Sequence, residues 1–246
     1  MYRTSKYNTH PAVLYEYTLG RSGDYAKKFL EDWKGTYLHC DGYTGYKKLM
    51  DKTLCGCLVH AKRKFYEAYE VNRSNEYAKQ GETYLRKLFR LEDKADESGL
   101  TLEKRLEMRK TNSKQVLDEF YSWISQIESK ILPKSLMGKA ITYAINQKEY
   151  LENFLKDARI QLSNNLAEQS VKPFVIGRSN WLFANTPNGA NASTLIYSII
   201  QSAILNNLIP QKYLTFVFDT IQSGGDASLL VPWSDEIPES CKNKKS

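Results

Sequence analysis

The stretch from residue 74 to residue 156 constrains the fold more than any other part of the sequence. Glycine is scarce there, charged residues are dense, and apolar residues recur at intervals of three and four. This spacing predicts amphipathic helices that pack through one face. The recurring apolar residues are Tyr84, Leu85, Leu88, Leu91, Val116, Leu117, Phe120, Trp123, Ile124, Ile127 and Ile131. We therefore expect a block of about three helices, followed by another helix that ends near Phe154.

The sequence before this block has a pattern of short strands and helices. "PAVLYEYT", residues 11–18, alternates in polarity and predicts a strand. Residues 21–33 predict a turn and a helix, and residues 35–40 predict a short buried strand. Residues 55–70 predict a second short strand that leads into a basic helix. This alternation indicates an α/β core, into which the helical block is inserted.

Two isolated carboxylates lie at positions that often carry functional residues, one at the end of a predicted strand and one at the start of a predicted helix. Asp41 ends a predicted strand, and open α/β sheets bind ligands beyond the carboxyl ends of their strands. Glu168 lies in "SNNLAEQSVKPF", where Ser163 or Asn164 can cap a helix. The positive end of the helix dipole favours an ionised carboxylate at that position. On local grounds alone, the simpler interpretation of Glu168 is a solvated residue that helps the helix to start.

The region after Glu168 predicts further helices and a loop-like tail. Pro173 is expected to end the first helix, because proline lacks a backbone N–H. The apolar residues near it are expected to be buried; they are Val171, Phe174, Val175 and Ile176. Two more helices are predicted, at residues 192–206 and from Pro210 onward, and the tail from Gly224 is expected to be a loop.

Charge and composition limit the partners and the compartment. The 246 residues carry a formal charge of +7, which suits a polyanionic partner such as nucleic acid, although many basic proteins bind none. No run approaches the ~18 apolar residues of a membrane span, and no signal segment opens the chain. The four cysteines (Cys40, Cys55, Cys57 and Cys241) do not form a disulfide pattern. We therefore expect a cytoplasmic protein with no membrane partner.

Several short motifs together resemble the transposases of the insertion-sequence-66 family. They are "CDGYTGY", "CLVHAKRKF", "SNNLAEQSVKP", "GRSNWLFANT", "IYSIIQSAILNNLIPQKYL" and "LLVPW". Each motif alone is a weak signal, but their order along nearly the whole chain makes the resemblance specific. It implies a bacterial enzyme of DNA transposition that cleaves DNA strands and transfers them, with transposon ends and target DNA as partners.

The resemblance also implies a fold and a catalytic site. The fold is an RNase H-like mixed sheet of the α/β class, with a large all-helical insertion and carboxy-terminal helices. The site is of the DDE type, in which three carboxylates hold two Mg²⁺ or Mn²⁺ ions. On this resemblance, Asp41 is the second carboxylate and Glu168 is the third.

The sequence departs from the family pattern at two places. In the family the first carboxylate lies on the first core strand, but Glu16, Asp24, Glu31 and Asp32 sit in no matching motif. We therefore expect an incomplete sheet without its first strand, in an amino-terminally truncated and inactive copy whose missing fragment is a candidate partner. Gln169 also stands where the family usually has an arginine, which removes a cation that could contact phosphate.

The same motifs suggest neighbours of the site and contacts with DNA. His60 and Asn165 are candidate active-site neighbours, although a packed, hydrogen-bonded histidine explains His60 as well. The candidate DNA-binding residues are Lys62, Arg63, Lys64, Lys172, Arg178 and Asn180. Zinc binding by Cys55, Cys57 and His60 is not expected, because the spacing is not that of a standard finger and no fourth ligand is evident.

The expected organisation has four parts. They are the front of the core (1–73), the helical insertion (74–156), the Glu168 helix with the closing helices (157–223) and the tail (224–246). We expect the insertion to tolerate shortening without loss of the core. Two functional hypotheses follow: a transposase catalytic region, with a homo-oligomer as one candidate assembly, or a non-catalytic DNA-binding or regulatory fragment that competes with an intact transposase.

Overall fold

The computed structural model describes residues 1–181 and 184–243. By its internal contacts the chain divides into two units, here named the Asp41 unit (residues 21–164) and the Glu168 unit (residues 1–20 and 165–246). The strands of the described residues are β1 (Tyr2–Arg3), β2 (Val13–Leu14), β3 (Tyr37–Cys40) and β4 (Thr53–Gly56). The α-helices are α1 (Gly23–Phe29), α2 (Leu58–Val71), α3 (Glu76–Glu97), α4 (Leu102–Met108), α5 (Lys114–Ile127), α6 (Leu136–Asn146), α7 (Lys148–Glu152), α8 (Asn165–Trp181), α9 (Pro187–Leu205) and α10 (Pro210–Gln222).

Strands β3 and β4 of the Asp41 unit are parallel, with Tyr37 opposite Thr53 and Cys40 opposite Gly56. The predicted strand at residues 35–40 and the predicted strand leading into a basic helix are therefore confirmed. The outer edge of β4 is covered, because the Asn153 side chain donates to the Leu54 carbonyl at 2.7 Å. Asp41 follows β3 directly and therefore lies at the carboxyl end of this parallel pair.

The helical block and β4 share one hydrophobic core. Its fully buried residues come from both parts: Cys55, Leu58 and Phe65 before residue 74, and Leu85, Leu88, Leu117, Phe120 and Ile124 within the block. Gly81 of α3 lies directly against the Phe65 ring of α2, so any side chain there would collide with it. The predicted helices are confirmed, but the shared core argues against the expectation that the block can be shortened without loss.

A buried arginine fastens the block to the segment after it. Arg109 lies at the start of a π-helical turn, Arg109–Ser113, and is 2% exposed. Its Nε and Nη2 atoms donate to both carboxylate oxygens of Glu92, each at 2.7 Å. Its Nη1 atom donates to the carbonyls of Phe154, Asp157 and Ile160. Because five donor contacts satisfy the guanidinium, the charge is tolerated inside the core.

The Glu168 unit combines a minimal sheet with three long helices. Strands β1 and β2 are antiparallel, with Arg3 opposite Val13. The outer edge of β2 is paired with α9 rather than with a strand, because the Ser202 hydroxyl accepts from the Val13 N–H at 3.0 Å and donates to the Val13 carbonyl. Ser198 accepts from the Tyr15 N–H in the same way. The strand predicted over residues 11–18 is therefore real but only two residues long.

Helix α8 corrects two predictions from the sequence. The helix does not end at Pro173 but continues to Trp181. Two contacts from the amino-terminal segment hold the helix before the proline: Arg3 donates to the Leu166 carbonyl, and the Tyr15 hydroxyl donates to the Ser170 carbonyl. The burial prediction was also wrong for Val171, Val175 and Ile176, which are 38%, 52% and 67% exposed. Phe174 alone packs, against the rings of Tyr15 and Tyr197.

The expected α/β class is confirmed, although helices dominate and the sheets of the described residues have two strands each. The predicted helices after Glu168 are present as α9 and α10. No helix of the described residues combines the length and hydrophobicity that crossing a bilayer requires. The predicted four segments cut across the two units, since residues 1–20 group with residues 165–246 and the helical block groups with residues 21–73.

Candidate active site

Asp41 lies directly after β3, and its side chain is exposed. Its Oδ1 atom accepts from the backbone N–H of Tyr43 at 3.0 Å, which closes a tight turn. Gly42 between them has φ +83°, a conformation that glycine adopts without steric cost. The turn fixes one carboxylate oxygen and leaves the group open to solvent.

Two glycines hold this turn against α1. The carbonyl of Gly45 lies so close to Gly23 that a Cβ atom at residue 23 would overlap it. A Cβ at Gly45 would in turn overlap the ring of Tyr43. The Lys48 ammonium adds a surface ion pair with Asp24 at 2.7 Å. The glycines of "DGYTGY" are thus explained by one positive φ and one close approach.

The helical block lines the Asp41 turn on another side. A Cβ at Gly42 would lie 3.1 Å from the Gln147 Oε1 atom and 3.5 Å from the Tyr143 hydroxyl. Burial, followed by the nearby Cys57, Asp41 and Cys40 groups, raises the pKa of Tyr143 to about 12. Tyr143 is therefore a neutral hydroxyl at physiological pH. The surroundings of Asp41 include residues of the block, not of the short strands alone.

Buried cysteine and half-buried histidine side chains lie at the strand ends. Burial lowers the pKa of His39 to about 4, and its Nε2 atom lies 3.0 Å from the Gly56 carbonyl. Burial raises the pKa of the Cys57 thiol, but hydrogen bonds from His60 and the Asn164 backbone outweigh it and leave a net lowering. Cys57 precedes α2 and is fully buried. The structure thus places His60 in a hydrogen-bonded pair beneath the site.

A zinc site requires several histidine, cysteine, aspartate or glutamate side chains that meet around one ion. Among the residues that the structure describes, no group of three such side chains is placed to hold a metal ion together. Asp41 and Glu168 belong to different units, so each carboxylate is described within its own unit. Each offers the hard oxygen ligands that Mg²⁺ and Mn²⁺ prefer, and the chemistry of these two donors fits such an ion.

Glu168 is exposed in the first turn of α8. The Nη1 atom of Arg3 anchors this turn by donating to the Leu166 carbonyl at 3.2 Å and to the Ser170 hydroxyl at 2.6 Å. Asn165 begins the helix and is exposed, as is Gln169 beside the carboxylate. The helix start is therefore firmly held while its acidic residue faces solvent.

The predicted DNA-binding residues fall into three groups. On α2, Lys62 and Lys64 extend over the rings of Phe89 and Tyr143 at 5.3 and 5.0 Å, whereas Arg63 is exposed. On α8, Lys172 and Asn180 are exposed. Arg178 belongs to α8, but its side chain lies outside the described part of the structure. Sequence reasoning passed over Arg21, Tyr43 and Tyr143 near Asp41, although Tyr43 lies inside "DGYTGY".

Comparisons with known proteins assign the family. The model of the Transposase IS66 family matches residues 1–192. Three relatives from Sinorhizobium fredii (strain NBRC 101917 / NGR234) carry only the description of uncharacterized proteins. The protein y4qI is 30% identical over 91% of this chain and 43% of its own length. For y4hP the figures are 28%, 91% and 44%, and for y4jD they are 30%, 91% and 46%.

The relatives are similar in sequence to this chain, but the chain spans less than half the length of each of the three. No solved structure matches it. The family match and the relatives agree over most of the chain, and they include both Asp41 and Glu168 in the matched region. The chain therefore belongs to the Transposase IS66 family.

Proposed function

We propose that this chain carries part of the metal-dependent active site of a DNA transposase, with Asp41 and Glu168 as metal-binding carboxylates. The observation that supports this most directly is the placement of Asp41. It is an exposed carboxylate at the carboxyl end of a parallel strand, with one oxygen fixed by the Tyr43 N–H. Membership of a transposase family gives that carboxylate its chemical context.

The proposed fold is RNase H-like, with β3 and β4 as neighbouring parallel strands of its sheet. The proposed reaction is cleavage and transfer of DNA strands. Bound Mg²⁺ or Mn²⁺ would activate a nucleophile and stabilise the leaving oxygen. The residues of this chain would hold the ion, orient it and leave it open to the phosphate. Asp41 is preoriented by its turn, and Glu168 is held at the start of α8 by the Arg3 contacts.

The basic side chains of α2 and α8 would bind the DNA backbone. Lys62, Arg63 and Lys64 have no carboxylate partner among the described residues. Lys62 and Lys64 are held above aromatic rings, which limits their movement but leaves their charge free for phosphate. His60 and Asn165 are proposed to orient the two carboxylates rather than to contact DNA.

Metal binding tests this proposal. Mn²⁺ titration of the full chain, followed by paramagnetic broadening, should reveal an ion near Asp41 and near Glu168. Asp41→Asn and Glu168→Gln should each weaken Mn²⁺ binding by about tenfold or more, since each removes a charged ligand. Glu149→Gln, which removes a carboxylate in the first turn of α7, is the matched control. Mn²⁺ binding that neither site variant alters would contradict the assignment.

Activity separates the catalytic proposal from a non-catalytic role. Cleavage and strand transfer are measured on oligonucleotides with Mg²⁺ or Mn²⁺, for the chain alone and with an added segment that carries a further aspartate. We propose that three carboxylates are required, so the chain alone should be inactive. Turnover by the unaided chain that Glu168→Gln abolishes would instead mean that the first carboxylate also lies within these residues. DNA binding without turnover in either case would favour a regulatory fragment.

A further inference from the structure

A charged side chain beside the Asp41 turn has no role in the function proposed so far. Arg21 is exposed, and no carboxylate of the described residues forms an ion pair with it. Its Cζ atom lies 5.5 Å from the centroid of the Tyr43 ring. The Tyr43 hydroxyl also donates to the Arg21 backbone carbonyl. One tyrosine therefore holds both the backbone and the guanidinium of this residue.

Tyr43 links this cation to the candidate catalytic carboxylate. Its backbone N–H donates to Asp41 Oδ1 at 3.0 Å, while its ring lies beneath Arg21. Tyr46 packs edge to face on Tyr43, with the ring centroids 5.8 Å apart. Burial, then Asp41, raises the pKa of the Tyr46 hydroxyl, whereas Arg21 lowers it. The geometric link between the two charges is therefore Tyr43, which binds Asp41 through its backbone and Arg21 through its ring.

The simplest competing interpretation is a surface arginine that rests on an aromatic ring. Such a contact explains the position of the guanidinium over Tyr43. It does not explain why a rigidly held turn carries an arginine with no carboxylate partner next to an exposed aspartate. A guanidinium offers a planar set of donors that matches phosphate, and stacking on a ring leaves those donors directed outward.

We propose that Arg21 binds a phosphodiester group of the DNA strand that reaches Asp41, with Tyr43 holding its guanidinium in place. The inference rests on the proposed function, because it takes DNA as the ligand of the Asp41 turn. Arg21 offsets the repulsion between the carboxylate and the phosphate.

The test measures DNA affinity of the full chain without divalent metal, over a series of salt concentrations. Arg21→Gln should weaken the binding of a labelled duplex by about 5- to 20-fold and reduce the slope of log affinity against log salt by about one. Arg90→Gln is the matched control, because Arg90 is an exposed arginine on α3 of the same unit. We expect it to change affinity by less than about twofold.

Two further variants test the role of Tyr43. Tyr43→Phe keeps the ring beneath Arg21 and should retain most of the affinity. Tyr43→Leu removes the ring and should weaken binding, although less than Arg21→Gln, because the charge remains. Circular dichroism of each variant verifies that the fold is kept. A loss with Tyr43→Phe equal to that with Tyr43→Leu would contradict the holding role.

A double-mutant cycle places the phosphate at Asp41. Asp41→Asn should strengthen metal-free DNA binding, and its effect should differ between the wild-type chain and Arg21→Gln if both side chains meet one phosphate. If wild type, Arg21→Gln and Arg90→Gln bind DNA with equal affinity, the inference is overturned, whether or not Asp41 binds Mn²⁺. Loss of Mn²⁺ binding in Asp41→Asn is measured separately, so failure of the proposed metal site remains distinguishable.

Discussion

The two units hold their candidate carboxylates in different ways. Asp41 follows a strand that packs on a large core, and its turn is fixed by glycine contacts and by residues of the helical block. Glu168 starts a helix that is held by hydrogen bonds from two short strands, and much of its apolar surface remains exposed. Packing surrounds the first carboxylate, whereas directional polar contacts hold the helix turn that carries the second. The difference predicts where each unit is most sensitive to substitution.

The largest effect is expected in the core of the Asp41 unit. Arg109→Met removes the two-point partner of the largely buried Glu92 carboxylate, which keeps its contact with Arg105, and it frees two buried carbonyls and one part-buried carbonyl. The free energy of unfolding should fall by about 3–5 kcal/mol, measured by urea denaturation. Arg73→Met removes a surface pair with Glu70, in which the two side chains are 72% and 37% exposed, and should change stability by less than about 1 kcal/mol. Similar losses in both variants would refute the distinction between buried and surface pairs.

A pH dependence should follow from His39. Its folded-state pKa of about 4 lies below the unfolded value of about 6.5, so protonation favours unfolding. Stability is present in full above the unfolded pKa and is lost as the pH falls toward 4, by up to about 3 kcal/mol. Unfolding of wild type and His39→Gln is compared at pH 7 and pH 4.5. If the two chains lose the same stability between these pH values, the buried neutral histidine is not the cause.

An intermediate effect is expected where the Asp41 turn meets α1. Gly23→Ala places a methyl group against the Gly45 carbonyl and should cost about 1–3 kcal/mol, because backbone has to move. Gly20→Ala adds the same methyl group where nothing lies within 4 Å, and it serves as the control. Thermal unfolding of both variants gives the difference. The comparison between units would be weakened if the two glycines tolerated alanine equally.

The smallest effect is expected in the Glu168 unit. Ser202→Ala leaves the Val13 N–H and carbonyl without their partner and should destabilise by about 1–2 kcal/mol. Hydrogen exchange at the Val13 amide should accelerate by a corresponding factor. Ser223→Ala removes an exposed hydroxyl that bonds only to the Asp219 carbonyl of its own helix, and it should have almost no effect. Unchanged exchange at Val13 in Ser202→Ala would mean that the strands are held by other contacts.

Local patterns predicted much of the Asp41 unit. The apolar periodicity of residues 74–156 predicted the helices of the block, and the short apolar segment before Asp41 predicted β3. Both predictions were possible because the pattern lies within each element's own sequence. The same reasoning missed Arg109, because its partners lie 45 to 51 residues away and a charged residue in a charged stretch resembles a solvated one. Arg21 went unrecognised for the same reason.

The Glu168 unit was harder to predict. Pro173 signals a helix end by local rules, yet α8 continues through it. Arg3 and Tyr15, more than 150 residues earlier in the chain, bind carbonyls just before the proline, and the Tyr15 ring packs on Phe174 just after it. The exposure of Val175 and Ile176 also runs against their composition. The α8 contacts join residues that are distant in sequence, which no pattern within a short window contains.

The Arg109 contacts also impose an order on folding. The guanidinium reaches its full set of hydrogen bonds only after three carbonyl groups have been synthesised, and the nearest of them lies 45 residues after the arginine. Contacts with such separation form late, because a long loop has to close first. During synthesis, therefore, α3 to α5 emerge with Glu92 available to Arg109 but with the three carbonyl acceptors still missing. The unit that presents Asp41 is completed only when residues 154–160 have left the ribosome, just ahead of the helix that carries Glu168.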